Sequence, residues 1–466
     1  MIEKVTNRIN MQKACHQIMS NKGSAGIDGM PVQELSAYLE MNKGQLVATF
    51  NEALGIDAKV QELEKSFELK RNQLVEAMTN GSYLPQSILG VEIPKSNGKK
   101  RLLGIPTVTD RMLQQAVQQV IYPMFEIEFK AHSYGFRPKR NALQAVLKAQ
   151  SNINEGYQHI VDIDLKNFFD EVDHCILLQL LYRKIKCPFT LRLIRKWLRA
   201  PILINGKLTK RRKGVPQGSP LSPLLSNIIL HELDKELEKQ GLRYVRYADD
   251  FSIYTKSKAQ ARKVGNSIYL FLKDKLKLSI NRAKSGLRKP VSFEILGYKF
   301  VPTYIKGDKG KYQLVVVDKS WDKLKQNLKW ITRKTAPKSF DERIRQLKEV
   351  QRGWVQYFRL ASIYGKLKDL DGWLRNRLRY CIWKAWKKPE RKRKNLIRLG
   401  VDQEHAYSWS RTRKGGWAVA QSPILITTIT LTRLAKRGYE SMLDYYLKVS
   451  PQFNEPLYTR TVRTVV

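Results

Sequence analysis

Two acidic residues side by side in an otherwise apolar alternation restrict what this chain can fold into. They lie in RYADDFSIYT, residues 246–255, where Asp249 and Asp250 interrupt a strand-like pattern. Neighbouring residues of a strand point to opposite faces, so adjacent carboxylates serve one site only where alternation breaks. LRYVRYADDFSIYT is therefore expected to form two short strands around a turn at the acids. Three uses compete for the pair. They are plain turn residues, since Asp tolerates turn conformations; or they pair with Arg243 and Arg246; or they hold a divalent metal.

A third carboxylate bears on that choice. YQHIVDIDL alternates as a strand, with Ile160, Asp162 and Asp164 on one face and Val161, Ile163 and Leu165 on the other. Asp164 ends the strand, and Phe168 and Phe169 follow closely. Mg²⁺ takes hard oxygen ligands, keeps waters, and needs only a few carboxylates beside substrate phosphates. Two such ions about 4 Å apart clamp the attacking and leaving oxygens of phosphoryl transfer. An acid on one central strand and an acidic pair on an adjacent hairpin would supply that site. Spacing alone does not choose between Asp162 and Asp164.

The charge balance agrees with a polyanionic partner. Lys and Arg number 85 against 42 Asp and Glu, a net +43 over 466 residues. Such a surplus opposes compaction unless a polyanion neutralises it. The 9 Trp and 21 Tyr spread among these cations suit a nucleic-acid surface better than a membrane one. No run of about 18 apolar residues is present to cross a bilayer. The N-terminal MIEKVTNRINMQKACHQIM lacks the apolar stretch of a signal peptide, so a cytoplasmic protein is expected. Cys15, Cys175, Cys187 and Cys381 are scattered, with neither CxxC spacing nor a Cys/His cluster for zinc.

The length predicts two to four domains. Helical patterns precede residue 80, including GIDAKVQELEKSFELKRNQL; strands are expected around a turn at Ser96, Asn97 and Gly98; RMLQQAVQQVIYPMFEIEF is helical. Asp173 is a plausible N-cap for HCILLQLLYRKI, and Ser222 with Pro223 gives a start signal for the next helix. FEILGYKFV and YQLVVV read as further strands. From about residue 318 the pattern turns helical, basic and Trp-rich, with KKPERKRKNLIRLG as a basic connector. Trp330, Trp354, Trp373, Trp383 and Trp386 sit on amphipathic helices and are each expected in a core, given the area a Trp buries.

DLKNFFDEVDH, GVPQGSPLSPLLSNIILHELD and YADDF, in this order, resemble the palm motifs of reverse transcriptases. AGIDGM, VEIPKSNGKKRLLGIPTVTDRMLQQAV, HSYGFRPKRNALQAV and ILGYKF narrow the resemblance to group II intron-encoded reverse transcriptase/maturases. RGWVQYF, RYCIWKAWKK and KGGWAVAQSP resemble their maturase-specific region, so the likeness runs along nearly the whole chain.

The resemblance implies an α+β right-hand polymerase. Fingers and a palm with an antiparallel sheet would span 1–317, a helical thumb 318–394, and a basic maturase-specific region 395–466. It implies Asp164, Asp249 and Asp250 as catalytic ligands of two Mg²⁺ ions. Lys95, Arg101, Gln217 and, more weakly, Lys284 would contact the incoming dNTP, Lys as a point charge and Arg as a planar fork. One aromatic after Asp164 would exclude a 2′-hydroxyl; Phe168 is preferred and Phe169 is the alternative. HSYGFRPKR reads either as a turn beside a helix start or as a segment whose Arg137, Lys139 and Arg140 track the template. The implied partners are group II intron RNA, an RNA template with a DNA primer, target DNA and dNTPs. The stretch around 55–75 is longer than the family pattern and reads as an extra fingers helix. After residue 400 His405 is the only His and no Cys follows, so no HNH endonuclease is expected. The alternatives are a non-enzymatic splicing maturase, or a domesticated reverse transcriptase in defence or repair.

Overall fold

The computed structural model describes residues 1–450 apart from 22, 31–72, 95–97, 99 and 304–309. The expected extra helix around 55–75 lies almost wholly outside the described residues. The chain divides into two units, 1–288 and 289–466.

In the first unit the two acid-bearing segments form neighbouring strands. β3 (His159–Ile163) pairs antiparallel with β7 (Asp250–Thr255), which pairs with β6 (Arg243–Tyr247); β8 (Gly286–Arg288) lies on the far side of β3. The register sets Asp162 against Ser252 and Ile163 against Phe251. Cross-strand partners share a face, so Asp162, Asp164, Asp250 and Ser252 lie together, while Val161, Ile163, Phe251 and Ile253 form the other face. That second face is buried in the main core. The helix Lys258–Asp274 packs on β3 and β7, and Ser222–Lys239 packs on β6. The latter helix buries Leu224, Leu225, Ile228, Ile229, Leu230, Leu233 and Leu237, apolar on nearly every side, as a central helix must be.

A second sheet precedes it. β1 (Ile88–Pro94) and β2 (Lys100–Ile105) form the expected hairpin, and β4 (Ile202–Ile204) and β5 (Lys207–Thr209) extend it in the order β2-β1-β4-β5. Helix Val108–Glu126 follows with Val108, Met112, Leu113, Ala116 and Val117 wholly buried. Asp173 caps the helix His174–Lys184 as expected, accepting from the Cys175 and Ile176 amides. Ser222 does not cap. It is the first helical residue, and its hydroxyl donates 2.7 Å to the Pro216 carbonyl instead.

In the second unit, β9 (Glu294–Ile295), β10 (Tyr298–Pro302) and β11 (Tyr312–Val316) form an antiparallel sheet. This sheet falls with the helices that follow it in the unit that begins at Lys289. Tyr357 on helix Phe340–Phe358 donates to the Leu296 carbonyl, and the Ser362 amide to that of Leu314. Two buried charges tie the helices together. Arg343 donates to the carbonyls of Ile331, Arg333 and Ala336, closing the end of helix Asp318–Ile331. Asp371, on helix Tyr364–Ala385, accepts from Tyr439, Ser441 and the amides of Met442 and Leu443, where the helix Met442–Val449 starts. The expected connector at 387–400 is itself a helix, Pro389–Arg398, so no break falls at 394/395. Trp383 is buried and Trp354 packs between Trp321 and Phe358, but Trp330 is 61% exposed with the Lys338 ammonium 4.1 Å above its ring.

Candidate active site

The turn between β6 and β7 is Ala248–Asp249, with Ala248 in the left-handed region at φ 57°. Three groups hold it there. Arg246, fully buried, makes a bidentate pair with Asp234 at 2.8 and 2.6 Å and donates 3.0 Å to both Asn227 and the Ala248 carbonyl. Asn227 in turn donates 2.9 Å to the Gly135 carbonyl. Gly135 lies flat against the turn: an added Cβ would stand 2.2 Å from the Ala248 nitrogen. The pairs considered between the two acids and Arg243 or Arg246 do not form, because Arg243 bonds Glu155 and Arg246 bonds Asp234.

The β3–β7 register ends at Ile163–Phe251 and so carries the flanking Asp164 and Asp250 toward one another, close enough for the Asp164 charge to act on Asp250. The segment after Lys277 closes over Asp164. Asn281 donates 2.9 Å to one carboxylate oxygen, and Lys284 stands 3.3 Å from the other. Asp162 is paired with Arg288 at 3.6 Å. The neighbourhood is electrostatically unfavourable for carboxylates. The surrounding protein strips water from Asp250, and the charges of Asp249, Asp164 and Asp162 add to that, pushing it up to about 6 against the opposing Lys284. Asp249 is raised by the same loss of water and by Asp164, with Arg101 opposing. Asp162 is pushed up to about 6 by burial, with Arg288 opposing.

Among the described residues no three carboxylate, imidazole or thiol groups stand close enough to close a metal cage by themselves. The donor set nonetheless fits hard cations that keep waters and borrow substrate phosphates: carboxylate oxygens only, crowded, with repulsion that a cation relieves.

A cavity of about 550 Å³ is lined among others by Arg101, whose charge acts on Asp249, and by Arg111, Phe136, Phe169, Gln217 and Gly218. Arg101 on β2 donates its Nε–H to the Gln217 side chain, and the Gly104 amide donates 2.9 Å to the Gln217 carbonyl. Gly218, at φ 129°, permits this approach, since a Cβ there would meet the Gly104 oxygen at 2.7 Å.

Arg101 and Gln217 meet at the cavity; Lys95 lies outside the described residues. Lys284 faces Asp164 directly. Phe168 is 2% exposed in the core, while Phe169, the alternative, lines the cavity. The template reading of Arg137 is corrected. Its guanidinium is buried, forked on Glu126 at 2.7–3.1 Å and bonded to the carbonyls of Lys130, Ser133 and Phe129, which leaves nothing to offer a template. Lys139 is exposed, and Arg140 lies over Tyr134. Sequence reasoning gave no role to Arg111, Asn227, Asp234 or Asn281. Arg111 stands inside a quoted motif, TDRMLQQAV, which was the available signal.

Comparison with known families decides the kinship. Residues 93–300 match the reverse transcriptase (RNA-dependent DNA polymerase) family, and 321–400 match the group II intron, maturase-specific domain. The chain belongs to the group II intron reverse transcriptase/maturase family. It is 32% identical over 283 residues to the group II intron-encoded protein LtrA of Lactococcus lactis subsp. cremoris, covering 47% of each chain. It is 31% identical over 252 residues to protein YkfC of Escherichia coli (strain K12), covering 46% of this chain and 66% of that one. The match thus spans about half the length of LtrA. Within this group II intron reverse transcriptase/maturase, the first family match holds the acidic face and most of the cavity lining, and the second lies in the second unit. No described helix is long and apolar enough to cross a membrane.

Proposed function

We propose that this chain is an RNA-directed DNA polymerase encoded by a group II intron, which binds intron RNA to assist splicing and copies it into DNA at a target site. The observation that carries the reading is the antiparallel pairing of β3 with β7, whose register runs from Ile163–Phe251 toward Asp164 and Asp250. Asp164, Asp249 and Asp250 would hold two Mg²⁺ ions, which when bound supply charge neutralisation at the reacting phosphate. The rest of the work falls to this chain's own groups. Arg101 orients the triphosphate with its planar fork, steadied by Gln217, and Lys95 adds a point charge. Lys284 releases Asp164 and neutralises phosphate charge once a nucleotide is in place. Phe169 closes the cavity against a 2′-hydroxyl. Lys139 and Arg140 follow the template backbone, and the basic helices over 318–394 act as a thumb along the template–primer duplex. Primer extension on poly(rA)/oligo(dT) with Mg²⁺ tests this. Incorporation of dTMP is expected, and no incorporation at any salt concentration favours a splicing maturase without polymerase activity.

A further inference from the structure

Phe136 combines two features that folding does not explain. It is a bulky aromatic at φ 58°, in the left-handed region where such residues are outliers. It is also 47% exposed, so no burial compensates for the strain. Such a conformation persists only where the neighbours over-determine it. Both neighbours here are fixed. On one side Gly135 is pressed against the Ala248 nitrogen and held by Asn227. On the other, Arg137 is locked into Glu126 and three carbonyls. Between these anchors the phenyl group is turned out to the cavity that Arg101, Phe169 and Gln217 also line.

We propose that Phe136 is a base-stacking residue whose phenyl face receives a nucleobase of the pair forming at the primer end. A flat apolar surface beside a phosphate-binding guanidinium suits a nucleotide, and stacking accepts any base because every base has a π-face. The anchoring also links the two halves of the site: Gly135 touches the acidic turn, and the next residue touches the base. The proposal rests on the polymerase reading given above.

The test uses the full chain and its variants Phe136→Gly and Phe136→Tyr. Glycine relieves the backbone strain and removes the ring, whereas tyrosine keeps both. Phe136→Gly is expected to raise the thermal midpoint while raising KM for dNTP about five- to a hundredfold, the range of a lost base–aromatic stack; Phe136→Tyr leaves KM within twofold. A template–primer with 2-aminopurine as the first unpaired template base reads stacking without catalysis. Quenching by the parent and by Phe136→Tyr, but not by Phe136→Gly, supports the proposal even if the parent extends no primer, in which case only the polymerase reading fails. Unchanged KM and unchanged quenching in Phe136→Gly overturns it, as does a lowered thermal midpoint, which would assign the ring to the fold.

Discussion

Phe168 and Phe169 are sequence neighbours with different surroundings: Phe168 is buried in the core and Phe169 lines the cavity. Phe168→Ala empties a core position and is expected to cost about 3–5 kcal/mol in unfolding experiments. Phe169→Ala should leave most of that stability and instead lower dNTP-over-rNTP selectivity by about ten- to a hundredfold in competitive primer extension. The reverse pattern would return the sugar-facing role to Phe168. Asp250 gives a pH prediction. Its carboxyl rises from 3.8 to about 6 in the fold, chiefly through loss of water and then through its acidic neighbours. The folded chain therefore binds more protons than the unfolded one in that window. The stabilisation is complete below the unfolded value and is lost as pH rises through about 6. In metal-free chain, Asp250→Asn should raise the thermal midpoint at pH 7 and flatten its decline between pH 3.8 and about 6, with Asp162 supplying the remaining slope. A lowered midpoint would contradict the repulsion. Much of this was legible in sequence, since alternation alone put Asp162 and Asp164 on one face. The register with β7, and the cations that face each acid, Arg288 for Asp162 and Lys284 for Asp164, are what local periodicity does not encode.

At the scale of elements, the β6–β7 hairpin depends on a pair that its own sequence does not announce. RYADD shows an arginine next to two acids, and the nearest acids are the obvious partners. The partner is instead Asp234, on the helix before the hairpin, with both side chains fully buried. Asp234→Ala leaves an unpaired buried guanidinium and should cost about 3–5 kcal/mol in thermal unfolding, with copying reduced because the turn loses its clamp. Little change in stability would mean that Arg246 finds water. The strands, the turn and the Asp173 cap were readable because each follows from nearby residues. Ser222 misled because the helix starts one residue earlier than a Ser222 cap requires, with Leu221 at the N-cap position, and Arg137 because charge in a basic motif looks like a surface charge. The stretch at 387–400 looked like a linker because charge hides helical periodicity, while Leu396 alone is buried on that helix.

At the scale of the whole molecule, a net charge of +43 implies a ligand whose binding releases counterions. If about 6–10 phosphates are neutralised, affinity for RNA should fall by about 10³–10⁵ between 50 and 200 mM salt, linearly on logarithmic axes. A flat salt response would contradict an electrostatic surface. The division into two units, one with the acidic face and one helical and basic, predicts that copying and RNA holding are separable. The most direct measurement compares the parent chain with Asp249→Ala in two assays: primer extension on poly(rA)/oligo(dT) with Mg²⁺, and equilibrium binding of the same RNA. The expected result is a fall in extension of about a thousandfold or more, from the several kcal/mol that metal ions supply, with RNA affinity within twofold of the parent. Extension that survives the substitution, or extension and binding that fall together, would contradict a metal site built from Asp164, Asp249 and Asp250.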